Sequence, residues 1–134
     1  GTLAKITDFY QGSDGLLGIT AKGGQRFRLI SSEHQKNGLN VGEIELIEAE
    51  RSFALPSKFE LLPKMLANIL EELGRLYEGQ DNHYNDAVWV SYRFLEILPI
   101  DLHQKQASLE DSDTTARLNF VVELLDSVRG PANH

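Results

Sequence analysis

The period of hydrophobic and polar positions along this chain changes once, near Pro56. Before that point, apolar and polar side chains alternate in short stretches such as residues 25–30, which is the pattern of a half-buried β-strand. After it, apolar residues recur at steps of three and four, which is the pattern of an amphipathic helix. The change predicts an α+β chain, with a β part at residues 1–55 and a helical part at residues 56–134.

The β part is predicted to be an antiparallel meander of about four strands. The predicted strands are residues 2–10, 16–20, 25–30 and 41–48. Asp14-Gly15 favours a tight hairpin turn between the first two. Gly23-Gly24 predicts a second reversal, because glycine accepts positive φ at little cost. We expect residues 31–38 to form a polar loop and Gly42 to mark a bulge or a twist.

The helical part opens with a long helix. Ser57 to Glu60 reads as a capping box, and Pro63 predicts either a kink or a regular helix that starts near it. Gly79 is the predicted end. The residues expected on its buried face are Phe59, Leu62, Leu66, Ile69, Leu73 and Leu76.

Three further helices follow. Asp86 is the predicted cap of a central helix, which Pro99 ends, with only Ser91, Arg93 and Glu96 as a narrow wetted strip. Asp101 opens a short helix. Ser112 or Asp113 opens the last, which Gly130-Pro131 ends. Its predicted buried residues are Leu118, Val121, Leu125 and Val128.

Two stretches resemble the amino-terminal domain of ATP-dependent Lon proteases. The first combines the strand of residues 1–6, the Asp14-Gly15 hairpin and the run from Gly23 to Arg28. The second runs from Leu98-Pro99-Ile100 to Arg117-Leu118, where a proline separates two helices and an acidic cap opens the next, with an Arg-Leu pair one turn later. The resemblance covers most of the chain.

The resemblance implies a small partial barrel of the type called PUA-like, followed by a four-helix bundle. It also implies a binding module that helps to select unfolded or tagged polypeptides and does no chemistry itself. Domains of this family begin with further strands, usually including a Leu-Pro-Leu-Phe-Pro-like segment, which this sequence does not show. We therefore expect Gly1 to be the start of a fragment rather than of a natural chain.

Composition narrows the classes of function. The net charge of −7 argues against strong non-specific binding to nucleic acid, which requires cationic side chains. With no cysteine, disulfides and cysteine-based zinc sites are excluded, and a cytoplasmic location is the expectation. No stretch reaches the length of a membrane-spanning helix.

Candidate chemistry is sparse, so we expect neither an enzyme nor a cofactor. Gly18 and Gly23 have the spacing of a phosphate-binding loop, but the lysine that meets the phosphates is missing. A weak metal site at Asp81, His83 and Asp86 is conceivable, although a solvated loop that ends in a helix cap is the favoured interpretation. The prediction is therefore no catalytic residue and no bound metal.

The candidate binding residues lie on the predicted sheet. Phe27, Leu29, Ile44 and Leu46 would hold extended polypeptide segments, although core positions are their commoner fate. Arg26 and Arg28 share the opposite face from Phe27. They suggest an RNA-binding PUA-like module, or, as the favoured interpretation, protection of an edge strand or pairing with Glu43 and Glu45 across the sheet. An adaptor that docks another subunit, or a homodimer formed through an exposed sheet edge, is also open.

Overall fold

The computed structural model describes residues 1–129 of the chain and the side chains of residues 1–128. These residues form two compact units, Gly1–Ala49 and a second that begins at Glu50. The first is an antiparallel sheet of three strands in the order β1-β2-β3. The second contains four α-helices, so the α+β prediction is confirmed. The elements are β1 (Thr2–Gln11), β2 (Leu17–His34), β3 (Asn40–Leu46), α1 (Leu61–Leu73), α2 (Ala87–Ile97), α3 (Leu102–Glu110) and α4 (Thr114–Arg129).

The sheet has three strands where the sequence predicted about four. Gly23-Gly24 does not reverse the chain but lies inside the 18-residue strand β2. The first half of β2 pairs with β1, and its second half, from Phe27, pairs with β3. The two glycines lie near the change of partner, where the register with β1 shifts. They mark a bulge in place of the predicted turn, and neither of them adopts a positive φ.

The hairpin turn predicted at Asp14-Gly15 is present in the structure. At the β1–β2 hairpin, Gly12 N donates to Leu16 O at 2.8 Å, and Gly15 has φ of 80°. The polar loop predicted at residues 31–38 is shorter than expected, because β2 continues to His34. The His34 side chain is hydrogen-bonded to that of Asn40, with 2.8 Å between His34 Nδ1 and Asn40 Oδ1. The bulge expected at Gly42 lies instead in β2, between Leu29 and Ser31, whose partners are Ile44 and Glu43, and Gly42 itself pairs regularly with Ser32.

The first helix begins as the proline predicted and ends earlier than expected. A 3-10 turn at Ser57–Phe59 precedes α1, and neither element begins with a side-chain capping hydrogen bond. The regular helix starts at Leu61, so Pro63 lies in its first turn. Backbone N–H groups of the first turn have no hydrogen-bond partner within the helix, so the absence of an N–H on Pro63 costs no helical hydrogen bond. It ends at Gly74 rather than Gly79, because Gly74 adopts a positive φ of 54°.

Early termination changes which residues of α1 are buried. Phe59, Leu62, Leu66 and Leu70 are buried, and Ile69 is partly buried against them. The predicted Leu73 and Leu76 are exposed, Leu76 by 80%. The helical period does not continue past Gly74, where a 3-10 turn carries Leu76 to the surface.

Helix α2 is central, as predicted, since it packs against α1, α3 and α4. The Oδ1 atom of Asp86 accepts a hydrogen bond from Val88 N at 2.9 Å, which confirms this cap. Ser91 was predicted on the wetted strip, but it is fully buried. A polar side chain therefore lies inside the core, where it accepts a hydrogen bond from Arg117 of α4.

The caps of the last two helices differ. Asp101 precedes α3 without a side-chain capping bond, whereas Asp113 Oδ1 accepts from Ala116 N at 3.1 Å and caps α4. Leu118 and Val121 are buried as predicted, and Val128 is exposed. The predicted stop at Gly130-Pro131 lies outside the described residues.

Residues 50–55, which the sequence grouped with the β part, make hydrogen bonds within the helical unit. Leu55 N donates to Asn85 O, and Ala87 N donates to Phe53 O, both at 2.9 Å. Ser52 Oγ donates to Asp86 Oδ2 at 2.8 Å. This strap, defined as residues 50–55, thus lies along the start of α2. No helix within residues 1–129 is both long and apolar enough to cross a membrane.

Candidate functional site

The four apolar candidates of the sheet lie together on one face of the β2–β3 hairpin. Phe27 is the direct partner of Leu46, and Leu29 is the direct partner of Ile44. We call these four residues the hairpin patch. Because successive strand residues point to opposite faces, the alternation that singled them out also places them side by side.

Most of the hairpin patch is accessible. Leu29 is 55% exposed and Leu46 is 52% exposed, whereas Phe27 is half-buried because its ring lies over Gly1. The Leu29 side chain lies over Gly42, where a Cβ atom would come within 2.8 Å of Leu29 Cδ1. The absence of a side chain at Gly42 therefore gives Leu29 its position on the hairpin.

The apolar exposure extends over the whole sheet unit. No residue of Gly1–Ala49 is buried, although both hairpins carry large apolar side chains. On the β1–β2 hairpin, Phe9 and Ile19 are direct partners and both are exposed. Exposed apolar area on this scale is typical of surfaces that meet a partner.

The two arginine candidates differ in their surroundings. Arg28 is exposed and lies directly across from Glu45, where opposite charges attract. Arg26 is half-buried, and its backbone carbonyl accepts a hydrogen bond from Ile47 N at 2.9 Å. The register therefore places Arg28 beside a carboxylate, which reduces the positive potential that a nucleic-acid backbone would need.

A second cluster of polar groups, unpredicted from the sequence, is buried in the helical unit. Arg117 of α4 is only 1% exposed. Its Nη2 atom donates to Glu50 Oε1 at 2.6 Å and to Thr114 Oγ1 at 3.0 Å. Its Nη1 donates to Asp111 O at 2.6 Å, and its Nε donates to Ser91 Oγ at 3.1 Å. The buried guanidinium thus has acceptors on α2, α4 and the strap.

The carboxylate of Glu50 completes this cluster. Thr114 Oγ1 donates to Oε1 at 2.5 Å, and the Tyr92 hydroxyl donates to Oε2. The Tyr92 ring also lies 4.0 Å from the Arg117 guanidinium carbon, which is a cation–π contact. Burial raises the pKa of Glu50, but the hydrogen bonds from Arg117, Thr114 and Tyr92 and the charge of Arg117 outweigh it, so this pKa is lowered.

The arrangement of this cluster is suited to holding structure rather than to acid–base chemistry. A general base works best with a pKa near the working pH, whereas the pKa of Glu50 is shifted downwards. A shallow cavity of about 600 Å³ opens beside Glu50, and its lining includes Arg51, Phe53, Asp113 and Thr115. The cluster therefore ties the strap to α2 and α4.

One sequence signal could have revealed Arg117. It occupies a helix face whose next positions are the buried Leu118 and Val121, and an arginine in such a place needs a buried acceptor. Its acceptor Glu50 lies 67 positions earlier in the chain, so spacing alone could not identify the pair. In the sequence, Arg117 stood out only as part of the resemblance to the Lon amino-terminal domain.

Two residues of the weak metal candidate, Asp86 and His83, make other contacts in the structure. Both carboxylate oxygens of Asp86 accept hydrogen bonds, from Val88 N and from Ser52 Oγ. The His83 ring packs edge-on against Trp89, with ring centroids 6.1 Å apart. Among residues 1–129, no three His, Asp or Glu side chains are grouped so that they could hold a metal ion.

Comparison with solved structures finds a similar fold in a protein of known structure. The Lon N-terminal domain protein from Xanthomonas campestris superposes with a TM-score of 0.71 and 30% identity. The match covers 91% of this chain and 65% of that one, so this chain spans about two-thirds of its relative's length. A search of curated proteins found no match.

The comparison with family models covers nearly the whole chain. Residues 1–127 match the model of the ATP-dependent protease La (LON) substrate-binding domain. Both units contribute to this match, including the hairpin patch and the Glu50–Arg117 cluster. The chain therefore belongs to the Lon substrate-binding domain family.

Proposed function

We propose that this chain binds extended or unfolded polypeptide segments and catalyses no reaction. Membership of a substrate-binding domain family supports the class of function. The single observation that carries the proposal is the sheet unit, in which large apolar side chains are accessible and no residue is buried. Burial of such side chains against a client is favourable by roughly 25 cal/mol per Å².

The hairpin patch is the proposed contact surface for client side chains. Leu29 and Leu46 supply accessible aliphatic surface, and Ile44 lies directly across from Leu29 and two residues before Leu46 on β3. At the ends of the sheet order, β1 and β3 each have one edge without a strand partner among the described residues. An extended client could add main-chain hydrogen bonds at such an edge.

The test is a titration with a chemically unfolded, dye-labelled protein, followed by fluorescence anisotropy. We expect micromolar binding, because ordering a flexible client costs free energy. Leu29→Ser should weaken it about fivefold, corresponding to about 1 kcal/mol of lost apolar burial. The matched control is Leu102→Ser, since Leu102 is 78% exposed on α3, and this variant should bind like the wild type.

Two results would contradict the proposal. One is the absence of binding at high micromolar concentration, and the other is equal binding by Leu29→Ser and wild type. A single-stranded RNA oligonucleotide is titrated in parallel. Binding to it that falls steeply with salt and requires Arg28 would favour the RNA-binding alternative instead.

Two further features stay proposals of the same kind. A homodimer could form through the unpaired edge of β1 or β3, and sedimentation at several concentrations measures it directly. The cytoplasm is the proposed location, which fits a chain without cysteine. Fractionation of cells that express the full-length protein tests this placement.

A further inference from the structure

A second cavity in the helical unit lies where α1 ends. It has a volume of about 470 Å³, and its lining combines apolar, aromatic and charged side chains. The lining residues from α1 are Ala67, Leu70 and Glu71. The segment that follows supplies Gly74, Arg75, Tyr77, Glu78, Asn82 and Tyr84. We call it the Tyr77–Tyr84 cleft.

The charge of this region is negative. Glu71 and Glu78 line the cleft with Arg75 as the opposing charge, and Glu72 and Asp81 belong to the same stretch of chain. All five of these side chains are exposed. Residues 71–81 therefore carry four acidic groups against one basic group, which gives a local preference for cations.

The aromatic rings of the cleft are held in place by neighbours. Tyr84 packs edge-on against Trp89, with centroids 5.3 Å apart. Burial raises the pKa of Tyr77, and the charge of Glu96 and a hydrogen bond to it raise the pKa further, against a smaller effect of Arg93. Tyr77 is therefore a neutral phenol whose hydroxyl is hydrogen-bonded to Glu96.

Trp89, which contacts Tyr84 but does not line the cleft, already contacts a cation of the chain. The Arg93 guanidinium carbon lies 5.8 Å from the Trp89 ring centroid, within the range of a cation–π contact.

We propose that the Tyr77–Tyr84 cleft takes the side chain of a lysine or arginine from a bound polypeptide. The inference rests on the proposed function and names the client class more closely: extended segments that contain a basic residue. Its aliphatic stem would pack against the partly exposed Ala67, beside the buried Leu70, as long cationic side chains commonly do. The cationic head would meet the tyrosine rings and the carboxylates of Glu71 and Glu78.

The experiment uses the whole chain and four dye-labelled unstructured peptides that differ at one position. That position holds arginine, its neutral isostere citrulline, lysine or its apolar counterpart norleucine. Anisotropy titrations at low and physiological salt give the dissociation constants. We expect the arginine and lysine peptides to bind about two- to fivefold more tightly than their uncharged partners.

Variants of the cleft separate this site from general attraction to an acidic protein. Glu71→Gln and Glu78→Gln should each weaken binding of the basic peptides by about two- to fivefold. The matched control is Glu123→Gln, because Glu123 is exposed on α4 and does not line the cleft. It removes the same charge and should leave affinity within experimental error.

Each outcome decides one of the two proposals. If Glu71→Gln and Glu123→Gln behave alike, or if arginine and citrulline peptides bind equally, the cleft proposal is overturned while apolar capture stands. If the norleucine peptide fails to bind but the arginine peptide binds and depends on Glu71, the hairpin patch is overturned while the cleft stands. Binding of both kinds, with separate sensitivity to Leu29→Ser and Glu71→Gln, supports both.

Discussion

Removal of Arg117 should destabilise the helical unit more than any exposed substitution there. In Arg117→Met, the aliphatic stem is kept while the charge and the four hydrogen bonds of the guanidinium are lost. Breaking a buried ion pair by removing one partner costs about 3–5 kcal/mol. The carboxylate left behind keeps its bonds from Thr114 and Tyr92, so we expect about 3 kcal/mol.

Removal of the carboxylate should cost more, because the two partners differ in access to water. The side chain of Glu50 is 11% exposed and that of Arg117 is 1% exposed. In Glu50→Ala, the guanidinium would stay buried without its counter-ion, which favours the upper end of the range, about 4–5 kcal/mol. The double variant leaves neither charge, so its cost should fall at least about 2 kcal/mol short of the sum.

The measurement is urea unfolding followed by the fluorescence of Trp89, the single tryptophan of the chain. Trp89 lies on α2 and therefore reports the unit that contains the pair. Arg51→Met is the matched control, because Arg51 is exposed in the same unit, and it should change stability by less than about 0.5 kcal/mol. Losses below about 1 kcal/mol for both single variants, or strictly additive losses in the double variant, would refute the reasoning.

Two further predictions concern the same unit. The lowered pKa of Glu50 stabilises the fold above the ordinary value of 4.5, and this contribution is lost as pH falls through the lower folded-state pKa. The stability difference between wild type and Glu50→Gln should therefore shrink at acidic pH in thermal melts, and a constant difference would contradict the assignment. Phe94→Ala should cost about 3–5 kcal/mol because Phe94 is fully buried, whereas Leu102→Ala should be nearly neutral. Similar urea midpoints for these two variants would exclude Phe94 from the core.

The sequence predicted helix existence well because capping and apolar spacing agreed locally. Asp86 was predicted as a cap and Asp113 as one of two candidates with Ser112, and the side chains of both aspartates accept hydrogen bonds from the first turn. The α1 boundary was placed too late because the three-and-four period continues through Leu73 and Leu76. A positive φ at Gly74 ends the helix first, and a periodic pattern carries no information on that torsion.

In the sheet, alternation predicted which residues share a face, but it did not predict the number of strands. Alternation placed Phe27 and Leu29 on one face, and the β3 register pairs them with Leu46 and Ile44. The same reasoning read Gly23-Gly24 as a turn, because glycine pairs serve equally in turns and bulges. Only the partner strands distinguish the two, and strand pairing is a long-range property.

The two units use their apolar residues for different purposes, which links stability to function. In the helical unit, Leu66, Phe94 and Leu118 form a core that excludes water, and the Glu50–Arg117 pair is enclosed beside it. In the sheet unit, Leu29 and Leu46 remain accessible, so their burial is still available as free energy of association. Substitutions in the hairpin patch should therefore change client affinity, whereas substitutions around Arg117 should act through the amount of folded protein.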